Sequence, residues 1–151
     1  MLFVMVEDNC INEKPKISGD PSKTCIFCKI IAGEIPCYKV FENDELLAFL
    51  DISPRNKGHT LLVPKKHSRW VWDMQEEYSK VSGQIANALK KAFSTDYVVS
   101  FVMGEEVHHA HLHLVPRFEG DGHGPLVDLK AIKEVGSEEM QAIAAKIAGN
   151  L

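Results

Sequence analysis

Three histidines alternate with apolar residues in Val107-His108-His109-Ala110-His111-Leu112-His113-Leu114-Val115-Pro116. Side chains of a strand point to its two faces in turn. His109, His111 and His113 therefore share one face, and Ala110, Leu112 and Leu114 share the other, where they can enter a core. A row of three imidazoles makes a poor core face and suggests chemistry. Three kinds fit: metal binding by His-x-His with a further ligand, nucleophilic attack by one imidazole oriented by its neighbours, or ligand binding without turnover. A second cluster is Cys25-x-x-Cys28, which reads as half of a tetrahedral metal site or as a structural pair. Asp51 closes an apolar run just before Ser53-Pro54, where a carboxylate can cap a turn or accept two hydrogen bonds from a ligand.

These residues need a frame. Tyr38 to Phe41 and Leu46 to Leu50 read as two strands around Asn43-Asp44, a hairpin. His59 to Val63 is a third strand, started after Gly58 and closed by Pro64. Val71, Met74, Tyr78, Val81, Ile85, Leu89 and Phe93 then recur at helical spacing, predicting a main helix over about 68 to 93 whose apolar stripe packs on the sheet. Tyr97 to Met103 is almost continuously apolar and predicts a strand covered on both faces. His109 to Val115 is the fifth strand. Cys25 to Ala32 suggests a helical turn stopped at Gly33. Met140, Ile143, Ala144 and Ile147 suggest a C-terminal helix. The order favours an α+β fold: a five-stranded antiparallel sheet with one long helix and a C-terminal helix.

The chain has 151 residues, enough for one sizeable core. Apolar residues make up 45% and charged residues 25%, which are ordinary globular values. A formal net charge of −4 leaves no basic excess to hold a nucleic-acid polymer, though local groups can still hold a small anion. No apolar run approaches bilayer length, so no membrane partner is expected. The start, Met1 to Val6 followed by Glu7 and Asp8, has no basic region before its short apolar stretch and does not read as a signal peptide. A cytoplasmic location is the expectation, and a disulfide framework is not. Residues 1–23 are polar and aperiodic after the first few, and read as an N-terminal extension.

Several segments together resemble the histidine-triad (HIT) family. His109-Ala-His111-Leu-His113-Leu-Val matches its His-φ-His-φ-His-φ-φ signature, where φ is apolar. Cys25-Ile-Phe-Cys28-Lys-Ile-Ile-Ala-Gly-Glu-Ile-Pro36 is similar to the family's opening, and Ala48-Phe-Leu-Asp51-Ile-Ser-Pro54 to its nucleoside-binding segment. Lys57-Gly-His59-Thr-Leu-Leu-Val-Pro-Lys-Lys-His67 is similar to its next strand and turn. The resemblance runs from about 25 to 118. It implies a HIT-like domain over 24–130, followed by the C-terminal helix in 131–151.

The resemblance also implies roles. The middle histidine, His111, is the nucleophile toward the α-phosphorus of a purine nucleoside phosphate, and His59, His109 and His113 complete the catalytic set. Asp51 takes the ribose. Ile26, Phe27, Ile30 and Ile52 give the base an apolar slot. Cys25, Cys28, His67 and His109 match the ligands of the family's zinc-carrying branch, with a structural ion. His108 competes with His109 for that place but points the other way on a regular strand. Many members carry Ala-Gly-Gln before the triad; here Met103-Gly104-Glu105-Glu106-Val107 sets Glu105 where the nucleotide-contacting amide is expected. The expected activity is hydrolysis or transfer at a phosphoramidate or adenylate. The alternatives are dinucleoside polyphosphate hydrolysis, a nucleotide-binding regulatory protein with little turnover, and a zinc hydrolase using all three triad histidines as ligands. A homodimer is expected as well, because one long helix leaves part of an apolar sheet uncovered.

Overall fold

The computed structural model describes residues 21–74 and 76–151. Most of the expected N-terminal extension lies outside that range, and its last part is already helical. A short turn, α1 (Pro21–Thr24), leads into α2 (Ile26–Ile31). Five strands follow: β1 (Lys39–Glu42), β2 (Leu46–Leu50), β3 (Thr60–Pro64), β4 (Val98–Val102) and β5 (Leu112–Pro116). The long helix α3 (Glu76–Phe93) separates β3 from β4, and α4 (Ser137–Ala148) follows the sheet. All neighbours pair antiparallel, in the order β1-β2-β3-β5-β4. The fold is therefore the α+β architecture expected from the sequence.

The hairpin closes where its sequence dictates. Asn43 Oδ1 accepts the amides of Glu45 (3.0 Å) and Leu46 (2.7 Å), so the side chain imitates a backbone turn. Beyond it the apolar residues divide by parity between two layers. Leu46, Ala48, Leu50, Leu62 and Leu114 join Val81, Ile85 and Leu89 of α3 and Met140, Ile143, Ala144 and Ile147 of α4 in the main core. Leu47, Phe49, Leu61 and Val63 face the other way and bury Phe27 of α2. The chemistry sits on this thinner side, where few side chains compete for space.

Three elements differ from the sequence expectation. The long helix starts at Glu76, not near 68, because Trp70 and Met74 are extended (ψ 149° and 159°) and only a 3₁₀ turn, Val71–Asp73, fits between them. Val71 and Met74 still pack on the main core, which is why the helical period seemed to begin with them. The triad strand starts at Leu112. Before it, the Ala110 amide donates to the Ser68 carbonyl (2.7 Å) rather than to a sheet partner. β4 is an edge strand with Val98, Val99, Phe101 and Val102 half-buried, not covered on both faces. α4 supplies the second cover for the main face, packing on α3, β1 and β2.

Candidate active site and adjoining metal cluster

The triad histidines are all buried, with His109 at 0%, His111 at 6% and His113 at 8% exposure. Their face is the Phe27 side of the sheet. The Phe27 ring meets His109 and His111 edge-on, at centroid distances of 5.9 and 5.1 Å. His111 and His113 follow each other at 5.0 Å. The alternation read from the sequence thus holds, although only Leu112 onward is regular strand.

Backbone groups set each tautomer. His111 Nδ1 lies 2.6 Å from the His109 carbonyl, which can only accept, so Nδ1 carries the proton and Nε2 keeps its lone pair. The Arg55 amide donates to His59 Nδ1 (3.1 Å), which puts the His59 proton on Nε2. His59 Nε2 donates to His113 Nδ1 (2.9 Å), leaving the His113 proton on Nε2. His59 Nδ1 is also 3.6 Å from Asp51, but with its lone pair engaged by the Arg55 amide it forms no ion pair there. Burial lowers the basicity of all these rings: His59 to about 2, His113 to about 3, and His109 and His111 downward as well. For His111 the peptide carbonyl of His109 and the carboxylates of Asp51 and Glu106 oppose that fall, while Arg69 adds to it. Neutral imidazoles are the state the tautomers require.

A cavity of about 280 Å³ opens beside His111 and His113. Ile26, Phe27, Ile30, Phe49 and Leu61 make an apolar wall, and Asp51, Ile52 and Ser53 a second side. Asp51 Oδ1 accepts the Ser53 amide (2.8 Å), and burial raises its pKa despite that bond. Two buried donors, Arg55 Nε and His113 Nε2, have no acceptor among the described residues, and both residues line this cavity. Buried donors without partners are costly, and two beside one cavity describe an anion site. Arg55 is held by a bond from its Nη1 to the Ser53 carbonyl.

Of the residues proposed from sequence, Ile26, Phe27, Ile30, Asp51, Ile52, His111 and His113 line the cavity, and His59 stands behind His113. Glu105 does not: it is exposed, and its neighbour Glu106 is in the wall with Met103 and Val107. The connection before the triad is not strand, so counting positions back from His109 slips by one. Arg55 was not singled out, although a cation in the turn between Pro54 and Gly58-His59 was a readable signal.

His109 faces two ways. Its Nε2 donates to the Pro64 carbonyl (2.8 Å), which turns the Nδ1 lone pair toward Cys25 Sγ (3.3 Å) and Cys28 Sγ (3.5 Å). His67 Nδ1 lies 3.2 Å from Cys28 Sγ. The four ligand atoms all fall within 4.8 Å of one another. A tetrahedral zinc with two sulfurs and two nitrogens needs S···N edges of roughly 3.6 Å, so this donor set fits. The Pro64 carbonyl supplies the partner that metal-bound imidazoles ordinarily have. His108 is exposed and outside the cluster. The three triad histidines do not converge as ligands among the described residues: His109 belongs to the Cys-His cluster and His113 to a separate group with Asp51 and His59.

The chain belongs to the HIT family, whose domain model matches residues 32–120. An uncharacterized HIT-like protein of Borreliella burgdorferi is 46% identical over 111 residues, covering 66% of this chain and 80% of that protein. An adenosine 5'-monophosphoramidase of Saccharomyces cerevisiae is 42% identical over 98 residues, covering 62% of each. Among solved structures, a Zn-bound histidine triad family protein of Mycobacterium smegmatis matches with a TM-score of 0.66 and 30% identity, over 85% of this chain and 96% of that one.

Proposed function

We propose that this protein cleaves purine nucleoside phosphate derivatives, phosphoramidates or adenylates, at the α-phosphorus through a nucleotidyl intermediate on His111. The observation that carries the reading is the bond from His111 Nδ1 to the His109 carbonyl, which holds an uncharged Nε2 as nucleophile beside an anion site. In the first step Nε2 bonds to phosphorus, and the bond from phosphorus to the leaving group breaks. An amine leaving group takes a proton from water at the cavity mouth. Water then attacks phosphorus, the bond to Nε2 breaks, and the nucleoside monophosphate departs with His111 neutral again. Arg55 and the His113 N–H hold phosphate oxygens. Asp51 takes the ribose diol, and the base lies against Phe27 and Ile30. The relative named adenosine 5'-monophosphoramidase supports the substrate class.

Cys25, Cys28, His67 and His109 would hold one zinc ion, which ties α2 to the start of the triad and supplies no chemistry at phosphorus. The regulatory alternative, a binder with little turnover, rested on Glu105 beside the phosphate, and Glu105 lies outside the cavity. Replacing His111 with Asn should abolish turnover of an adenosine phosphoramidate while nucleotide affinity stays within about tenfold, or about 1.4 kcal/mol. Turnover near that of the unaltered protein in this variant would end the nucleophile assignment.

A further inference from the structure

The residues just after His67 build a feature that the cleavage chemistry leaves unused. The Ser68 carbonyl takes the Ala110 amide, so this segment runs alongside the peptide that joins His109 to His111. The Arg69 guanidinium then lies over the Trp70 ring, 3.8 Å from its centroid. Trp70 stacks on Trp72 at 4.7 Å with the rings 13° apart. The result is a cation, an aromatic ring and a second aromatic ring in one pile, and Trp72 at its end is 66% exposed. A cation over an indole contributes about 0.5–2 kcal/mol and fixes the inner ring. Leaving the outer indole in water forgoes the burial that a ring of this size normally gains.

Gly104 shows where the pile stands. A Cβ built there would lie 2.3 Å from Trp70 and 2.7 Å from Arg69 Nη1, so only glycine lets the pile close against this connection. The same connection contributes Met103, Glu106 and Val107 to the cavity wall. The charge of Arg69 also reaches His111. The stacked rings therefore sit at the cavity rim, beyond the wall opposite the turn that carries Asp51 and Ile52.

We propose that Arg69, Trp70 and Trp72 form a leaving-group subsite that takes a planar aromatic group carried on the α-phosphorus and stacks it on the exposed ring of Trp72. This rests on the reading of nucleotide cleavage at His111 given above. Arg69 and Trp70 act as positioning residues that hold Trp72 in plane.

The test is equilibrium binding to the full chain carrying His111→Asn, which cannot cleave its ligand. The two probes are AMP, which has no leaving group, and the adenosine 5'-phosphoramidate of naphthylmethylamine. The second should bind about five- to tenfold tighter, in line with the strength of base–aromatic stacking. Adding Trp72→Ala should bring the ratio of affinities close to one, and Trp72→Phe should restore most of it. Trp72 is exposed, so neither change threatens the fold. Equal affinity of the two probes before any change at Trp72 overturns the subsite. That result would also arise if a second copy of the chain covered Trp72. A ratio that survives Trp72→Ala overturns it too. If neither probe binds, the nucleotide reading falls, and the subsite falls with it.

Discussion

His111 is made a nucleophile by a peptide carbonyl, and Asp51 is given its place by a peptide N–H. Both side chains are thereby oriented without help from an opposite charge. Asp51 keeps one oxygen for the Ser53 amide and has the other for ligand. If it takes the ribose diol, Asp51→Ala should weaken a ribonucleotide by roughly ten- to a hundredfold, the range of a hydrogen bond to a charged group. A 2',3'-dideoxynucleotide should lose almost nothing. Equal losses for the two ligands in a titration would remove Asp51 from the ribose. The histidines were legible in the sequence because strand geometry imposes a period of two, and burial on the Phe27 side keeps that period even where the strand has frayed. Arg55 was less visible. It reaches the cavity from an irregular turn, and turns have no period from which facing can be read.

At the scale of elements, the turn that carries Arg55 and His59 is clamped from outside the site. Asp121 accepts from Arg117 Nε (2.6 Å) and Nη2 (3.1 Å), from Asn56 Nδ2 (2.9 Å), and from the amides of Phe118 and His123. His123 Nε2 donates to the Arg55 carbonyl (2.9 Å), and the Lys133 amide to that of Pro54 (2.7 Å). Bonding by Arg117 above all holds the Asp121 carboxyl well below the usual carboxylate range. A group whose folded pKa is depressed adds stability above its unfolded pKa of about 3.9 and loses it as pH falls below that. Asp121→Asn should cost about 2 kcal/mol near neutrality. The slope of unfolding free energy between about pH 4 and pH 2 should flatten in urea titrations of the variant. An unchanged acid limb would show that other carboxylates set it. The Cys-His cluster belongs to this scale as well, because it joins α2 to the turn after β3. Elemental analysis of protein prepared without chelator should find about one zinc per chain; metal-free protein whose Cys25 and Cys28 alkylate rapidly while folded would count against it. Helix α4 was legible from four apolar residues, whereas the start of α3 was not. Val71 and Met74 satisfy the helical period, and the extended backbone at Trp70 and Met74 follows from tertiary packing that no local pattern reports.

For the molecule as a whole, the open question is the edge strand. β4 presents half-buried Val98, Val99, Phe101 and Val102 at one side of the sheet. An edge with free backbone groups and apolar side chains is a template for a second strand, and a two-fold pair would use the same edge on both chains. We propose a homodimer through this edge. Phe101 makes a poor probe because it stacks on His113 at 4.5 Å and 9°, so altering it would disturb the site. Val99 pairs with Val115, away from the histidines. Val99→Asp should shift sedimentation at micromolar concentration from twice the chain mass of 16.9 kDa to a single chain. A single-chain mass before any change would leave β4 as a bare edge. The sequence argument for a dimer, that one helix cannot cover the sheet, is replaced by this one, since α4 covers the face that α3 does not. No helix among the described residues is long and apolar enough to cross a membrane.

His109 is a hinge between two assays that look independent. Its ring belongs to the Cys-His cluster, and its carbonyl holds the ring of His111. A reagent that strips metal from the cluster would loosen that carbonyl and misalign Nε2, and the fold could survive intact. Inactivation by a chelator without unfolding is the usual signature of a metal that takes part in the reaction. In this protein the same result would come from an ion that never touches the substrate. Only the pattern of recovery separates the two: a structural ion can be replaced by any tetrahedral ion of similar size with the rate restored, whereas a participating ion imposes its own acidity on the rate.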